Sequence, residues 1–193
     1  MPALTLTERG GAPASAGAAR LFIALWPGDS LRQALRDWRE PCPGGVGTRP
    51  VALEQLHLTL HFLGNVPRQQ VPELHHALRV PFRVFELIFS RCERWPGGLL
   101  VVSPDAVPPV LADLHAALRE ALHRVGLPTE ARAFRPHITL ARRHTGPLPP
   151  AAVPALHWNV RGYALVESGA RAGGGYAVLE AYEGPTGVRA DPA

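Results

Sequence analysis

The segments His57-Leu58-Thr59-Leu60 and His137-Ile138-Thr139-Leu140 carry one pattern twice, eighty residues apart. Each sets a histidine and a threonine on either side of one apolar residue. In an extended strand, side chains alternate between faces, so His and Thr point one way while the apolar residues point into a core. Imidazole is the side chain whose unperturbed pKa lies near neutrality, so it takes or gives a proton readily. Two of them can divide the work as general base and general acid, each contributing roughly 10²–10⁴-fold. Threonine hydroxyls suit the non-bridging oxygens of a phosphate, and a guanidinium neutralises a phosphoryl group in flight. Opposed histidines around a phosphate amount to a metal-free phosphodiesterase or a cyclic-phosphate hydrolase.

Chance does not account for the repeat. With 9 histidines and 8 threonines in 193 residues, about 0.4 His-x-Thr triplets are expected at random (9 × 8/193). Two copies, both followed by leucine and both in apolar runs, outweigh the alternative of two half-buried strands with incidental polar residues.

The elements that must hold these residues can be read in order. Residues 1–19 are small, weakly polar and aperiodic, and read as a disordered leader. Order is expected to begin with an apolar strand at Leu21–Trp26, ended by Pro27-Gly28. Asp29 or Ser30 then caps a helix to about Arg39, with Leu31, Leu35 and Trp38 on one face. A Pro/Gly-rich loop covers residues 41–50. The first motif strand runs from about Leu56 to Leu63 and closes on Gly64-Asn65, and a short helix follows near residues 71–79. An extended segment from Phe82 to Trp95, a turn at Pro96-Gly97-Gly98 and a strand over residues 99–102 complete the first half.

In the second half, apolar residues from Val107 to Val125 recur at three- and four-residue steps, an amphipathic helix ended by Gly126 and Pro128. The second motif strand spans residues 137–142, two strands follow at 158–167 and 176–182, and residues 184–193 read as a flexible tail. Each half is helix, loop, His-x-Thr strand. The expected fold is therefore α+β: a single bilobal domain over residues 20–183, duplicated with pseudo-two-fold symmetry. Its antiparallel sheets line a central cleft, its helices lie outside, and the motif strands face each other across the groove.

Composition sets mild bounds. The length suits one domain or two small lobes, and no stretch approaches the ~18 apolar residues of a membrane span. No charged segment followed by an apolar run marks a secretory signal. Cys42 and Cys92 form no metal-binding spacing and read as reduced thiols. The net charge of +4 is built on arginine alone, since the chain contains no lysine. That usage fits a GC-rich coding bias, and the positive balance permits a nucleic-acid substrate without demonstrating one.

Three stretches carry a resemblance: Leu21-Phe22-Ile23-Ala24-Leu25, His57-Leu58-Thr59-Leu60-His61-Phe62-Leu63-Gly64 and Phe134-Arg135-Pro136-His137-Ile138-Thr139-Leu140-Ala141-Arg142. They look like the two-histidine (2H) phosphoesterases, and within them the bacterial and archaeal RNA 2′,3′-cyclic phosphodiesterases, also called 2′–5′ RNA ligases. Leu165-Val166-Glu167-Ser168 and the Gly-rich turn before Tyr176 fit the same branch. The resemblance implies hydrolysis of an RNA 2′,3′-cyclic phosphate end to a 2′-phosphomonoester, without metal or other cofactor. Some members also join or cleave a 2′–5′ linkage in tRNA halves.

Carried over by position, His57 is the general acid that protonates the departing O3′, and His137 is the base that activates water. Thr59 and Thr139 hold phosphate oxygens, Arg142 supplies positive charge, and Phe62 touches the base or ribose. The implied partner is an RNA or nucleotide with a 2′,3′-cyclic phosphate end, tRNA fragments included. The implied protein is a cytoplasmic monomer away from any membrane. A competing reading is a module that binds a nucleotide or RNA end without turnover, but a pure binder has no need of two proton-transfer groups.

Strand alternation from His137 puts Ala141 and Arg143 on the catalytic face, whereas the family pattern favours Arg142. Choosing Arg142 over Arg143 requires a bulge or strand end near Ala141. By the same alternation His61 shares the face of His57. His75, His76, His115 and His123 fall on helices and read as solvated, and the four tryptophans read as core or rim packing.

Overall fold

A computed structural model describes residues 17–41, 43–148, 154–171 and 175–184. Cys42, most of the leader and residues 185–193 lie outside them. The elements run β1 (Ala18–Leu25), α1 (Asp29–Arg39), β2 (Arg49–Pro50), β3 (Leu58–Pro67), α2 (Val71–Ala77), β4 (Phe85–Phe89), β5 (Cys92–Trp95), β6 (Leu99–Val102), α3 (Pro109–Arg124), β7 (Ile138–Arg142), β8 (Leu156–Val160), β9 (Gly162–Arg171) and β10 (Gly175–Glu183).

Most strands join one antiparallel sheet in the order β10-β9-β1-β3-β7-β6-β5, with β2 pairing β7. β4 and β8 form a separate antiparallel pair. The fold is α+β with antiparallel sheets, as expected. Its two halves, however, meet within one sheet rather than facing each other as two. β3 and β7 are neighbours, joined at the single pair Leu58–Ile138.

All three helices and the β4–β8 pair cover one face of that sheet. Leu31, Leu35 and Trp38 of α1, Leu74 of α2, Leu111, Leu114, Leu118 and Leu122 of α3, and Phe85, Leu87 and Phe89 of β4 bury together there. They meet Leu21, Ile23, Leu25, Leu58, Leu60, Ile138 and Leu140 from the strands. Fully burying each such side chain is worth about 1.5–3 kcal/mol, so this face fixes the register of both motif strands. The other face keeps two small clusters, Phe22 with Ala24, Ala164 and Val166, and Trp95 with Leu99 and Val101. The motif residues lie between them.

Several boundaries differ from the sequence reading, each for a tertiary reason. β1 begins at Ala18, inside the expected leader, because Ala18, Ala19 and Arg20 pair with Pro67, Val66 and Asn65. The same pairing carries β3 past Gly64, which accommodates the turn of the chain at φ +72°. The extended run 82–95 divides into β4 and β5, which serve different sheets. The expected strand at 158–167 breaks at Arg161 into β8 and β9. α1 starts on Gly28 with no side-chain cap, and Asp29 instead takes a bond from Arg32 at 3.3 Å in the first turn.

Candidate active site

The Leu58–Ile138 pair sets the geometry of the site. In an antiparallel ladder the flanking residues also come side by side, so the register carries His57 toward Thr139 and Thr59 toward His137. Leu58 and Ile138 are wholly buried, whereas all four motif residues are half-buried on the opposite face. The structure thus brings together both histidines and both threonines named from the sequence.

Each histidine is held by its own backbone. His57 Nδ1 lies 2.6 Å from the Gln55 carbonyl oxygen, and His137 Nδ1 lies 2.7 Å from that of Arg135. A carbonyl only accepts, so each Nδ1 carries the proton and Nε2 becomes the atom that can exchange one. The rings are also boxed by aromatics. His57 packs against Phe22 (4.8 Å between centroids), Tyr176 (5.3 Å) and Trp26 (5.7 Å, stacked). His137 packs against Trp95 at 4.4 Å, and the Arg135 guanidinium lies over the same indole at 4.3 Å. Two of the four tryptophans therefore wall the histidines, while Trp38 and Trp158 belong to the core. Trp26 and Ala164 also line a groove of about 490 Å³ running along β8, β9 and β10.

Both motif strands bulge at the same place. On β3, Ile23 pairs with His61 and Ala24 with Thr59, leaving Leu60 as the extra residue. On β7, Leu100 pairs with Ala141 and Val101 with Thr139, leaving Leu140 extra. A bulge puts two successive residues on one face. Leu140 and Ala141 accordingly both enter the core, and the exposed Arg142 returns to the face of Thr139. Phe62, 37% exposed, occupies the equivalent position on β3, with the Arg20 guanidinium 5.1 Å from its ring centre. Arg143 adopts φ +54° just past the strand end.

The bulge on β7 is braced from α1. Arg39 donates to the carbonyls of Val51 at 2.5 Å and of Leu140 at 3.3 Å. Burial lowers its pKa from the usual arginine value. Beyond the strand, the turn at Gly98 closes on Arg143 and His144. Gly98 has φ +71°, a Cβ there would meet the Arg143 backbone at 3.0 Å, and its carbonyl accepts from the His144 N–H at 2.8 Å.

The β3 bulge corrects the placement of His61. It does not share the face of His57 but turns to α3, where its Nε2–H donates to the His115 carbonyl at 2.9 Å. His115 is not simply solvated either. Its ring stacks 4.0 Å from His61 on one side and 4.0 Å from Phe134 on the other. This column ties the strand of His57 to the segment leading into His137. Burial lowers the pKa of His61, and burial together with the His61 and Arg119 charges lowers that of His115 to about 4.

These shifts fix a sign for acid stability. Below about pH 6.5 the unfolded chain protonates both rings, while the fold keeps His115 neutral down to about 4. The unfolded state then binds more protons, so stability is complete above that window and falls as pH drops through it. In urea unfolding between pH 7 and 4.5, His115→Phe, which keeps a flat ring in the stack, should show a shallower fall in midpoint than the wild type. Parallel curves would remove His115 from the account.

Among the described residues, no group of three or more His, Cys, Asp or Glu side chains is placed to hold a metal ion. No described helix is long and apolar enough to cross a membrane.

A one-sided antiparallel sheet with two histidine–threonine strands at its centre defines a two-histidine phosphoesterase architecture, and the comparisons agree. A profile of the 2′-5′ RNA ligase superfamily matches residues 27–171. The RNA 2′,3′-cyclic phosphodiesterase of Thermus thermophilus is 33% identical over 186 residues, covering 84% of this chain and 89% of that protein. The Escherichia coli protein of the same name is 33% identical over 152 residues, covering 77% and 83%. The crystal structure of Escherichia coli LigT complexed with 3′-AMP superposes with a TM-score of 0.75 at 27% identity, over 87% of this chain and 99% of that one. The chain belongs to the 2′-5′ RNA ligase superfamily.

Proposed function

We propose that this protein hydrolyses the 2′,3′-cyclic phosphate at an RNA end to a 2′-phosphomonoester, with His57 as general acid and His137 as general base. The observation that carries this reading is the paired site itself. Two imidazoles on one accessible face each commit Nδ1–H to a carbonyl, which makes Nε2 the nitrogen of each ring that can exchange a proton. Relatives named RNA 2′,3′-cyclic phosphodiesterase support the choice of substrate.

In the proposed reaction, water lies between His137 and phosphorus. His137 Nε2 takes a proton as the water oxygen bonds to phosphorus, in line with and opposite O3′. The P–O3′ bond breaks, and the His57 Nε2–H proton passes to O3′. Thr59 and Thr139 donate hydroxyl hydrogen bonds to the non-bridging oxygens. Arg142 meets the charge that spreads over them, and Phe62 contacts the base or ribose. No metal or cofactor takes part. Because the 5′-hydroxyl of a second RNA end can take the place of water in this in-line step, with O3′ again leaving, joining of tRNA halves through a 2′–5′ linkage is the second reading, supported by the superfamily's description. The protein acts as a cytoplasmic monomer on RNA ends, tRNA fragments among them.

The test is purified protein with 2′,3′-cyclic AMP in excess EDTA, with products resolved against authentic 2′-AMP and 3′-AMP. Turnover to 2′-AMP is expected. A 3′-AMP product would exchange the roles of the two histidines. Activity lost in EDTA and restored by a divalent ion would reject the metal-free mechanism, and a nucleotide bound but not consumed would favour the binding module.

A further inference from the structure

The two ends of the catalytic face differ at one position, the fifth residue after each histidine. On β3 it is Phe62, with Arg20 over its ring. On β7 it is Arg142, and directly opposite it in the ladder stands Arg49 of β2. Residues paired in this way project to the same face with Cβ atoms about 4.5–5.5 Å apart, and like charges there cost roughly 0.2–1 kcal/mol. Among the described residues, no carboxylate or carbonyl bonds the exposed Arg49 guanidinium.

Nor is Arg49 set there by a loose loop. β2 is only Arg49–Pro50, yet both of its ends are tied down. Thr48 Oγ1 donates to the Arg143 carbonyl at 3.2 Å, the Val51 N–H donates to the Leu140 carbonyl at 2.9 Å, and Arg39 bonds the Val51 carbonyl as well. The fold therefore holds two arginines directly opposite each other in the ladder, on one face of the sheet. Arg142 lies three residues along β7 from Thr139, one of them bulged, a span of about 7–10 Å. Single-stranded nucleic acid is gripped by cations along its backbone and by aromatics under its bases. A ribose whose cyclic phosphate sits among the four motif residues would send its base toward Phe62 and its 5′ oxygen toward Arg142 and Arg49.

We propose that Arg49, beside Arg142, binds the phosphodiester on the 5′ side of the terminal ribose, so that the site prefers an RNA chain to a cyclic mononucleotide. This rests on the phosphodiesterase reading above and adds the contact that recognises the chain.

The test compares adenosine 2′,3′-cyclic phosphate with the dinucleotide ApA ending in a 2′,3′-cyclic phosphate, on wild type, Arg49→Gln and Arg49→Lys. For Arg49→Gln, kcat/KM on the dinucleotide should fall about ten-fold through KM, and on the mononucleotide by less than about two-fold. The slope of log KM against log salt for the dinucleotide should shrink by about 0.7. Arg49→Lys, which keeps the charge, should retain most of the dinucleotide preference. Equal losses on both substrates, or no loss on either, would overturn the proposal while wild-type turnover leaves the phosphodiesterase reading standing. Failure of wild type on both substrates would instead remove that reading.

Discussion

Alanine at either His57 or His137 lowers kcat for cyclic-phosphate hydrolysis by about 10²–10⁴-fold, with the thermal midpoint little changed. The two side chains occupy the open face of the sheet and are half-buried, so their removal opens no cavity in the core that α1, α2 and α3 cover. Their loss falls on proton transfer. Without His137 the attacking water keeps its proton, and without His57 the ribose oxygen leaves as an alkoxide. Because the two groups act in one transition state, the double variant should be far less impaired than the product of the single effects. Wild-type kcat–pH data should be bell-shaped, since one ring must be neutral while the other is protonated. A single alanine variant that kept near wild-type kcat would end the two-histidine mechanism.

Arg142→Gln should lower kcat by about 10²–10³-fold, the scale on which one preorganised donor to a developing anion contributes. The same change at Arg143 should stay within about three-fold. The distinction rests on the extra residue at Leu140, which sends Ala141 into the core and Arg142 back to the face of Thr139, while Arg143 departs at φ +54°. Comparable losses in both variants would mean that the strand end rearranges around substrate. A larger loss at Arg143 would reverse the assignment.

What the sequence disclosed and what it withheld divide along a physical line. The His-x-Thr strands and the faces of α1 and α3 were legible because local periodicity writes them directly. So was the need for a bulge ahead of Arg142, since simple alternation conflicted with the family pattern. The matching bulge at Leu60 was signalled by the same conflict, since the family pattern put Phe62 on the face that alternation gave to His61, yet His61 was placed by alternation alone and so on the wrong face. β2 was invisible for another reason. A two-residue strand in a Pro/Gly-rich loop exists only through its partners on β7 and the brace from Arg39. His115 carried helical spacing but no sign that His61 and Phe134 would close on both sides of its ring. The break at Arg161 reflects the assignment of β8 and β9 to different sheets, a choice made between elements rather than within them.

The carbonyl bonds to the histidines also sort four of this chain's imidazoles into two tautomeric populations. His57 and His137 carry hydrogen on Nδ1, whereas His61 and His144 spend Nε2–H on the His115 and Pro147 carbonyls. The electrophile-accepting nitrogen is therefore the distal one at the two reacting rings and the proximal one at the two structural rings. Acylating or alkylating reagents should mark the catalytic pair at Nε2, whereas His61 and His144 offer only Nδ1, so the regiochemistry of the adduct separates the reacting rings from these two structural ones.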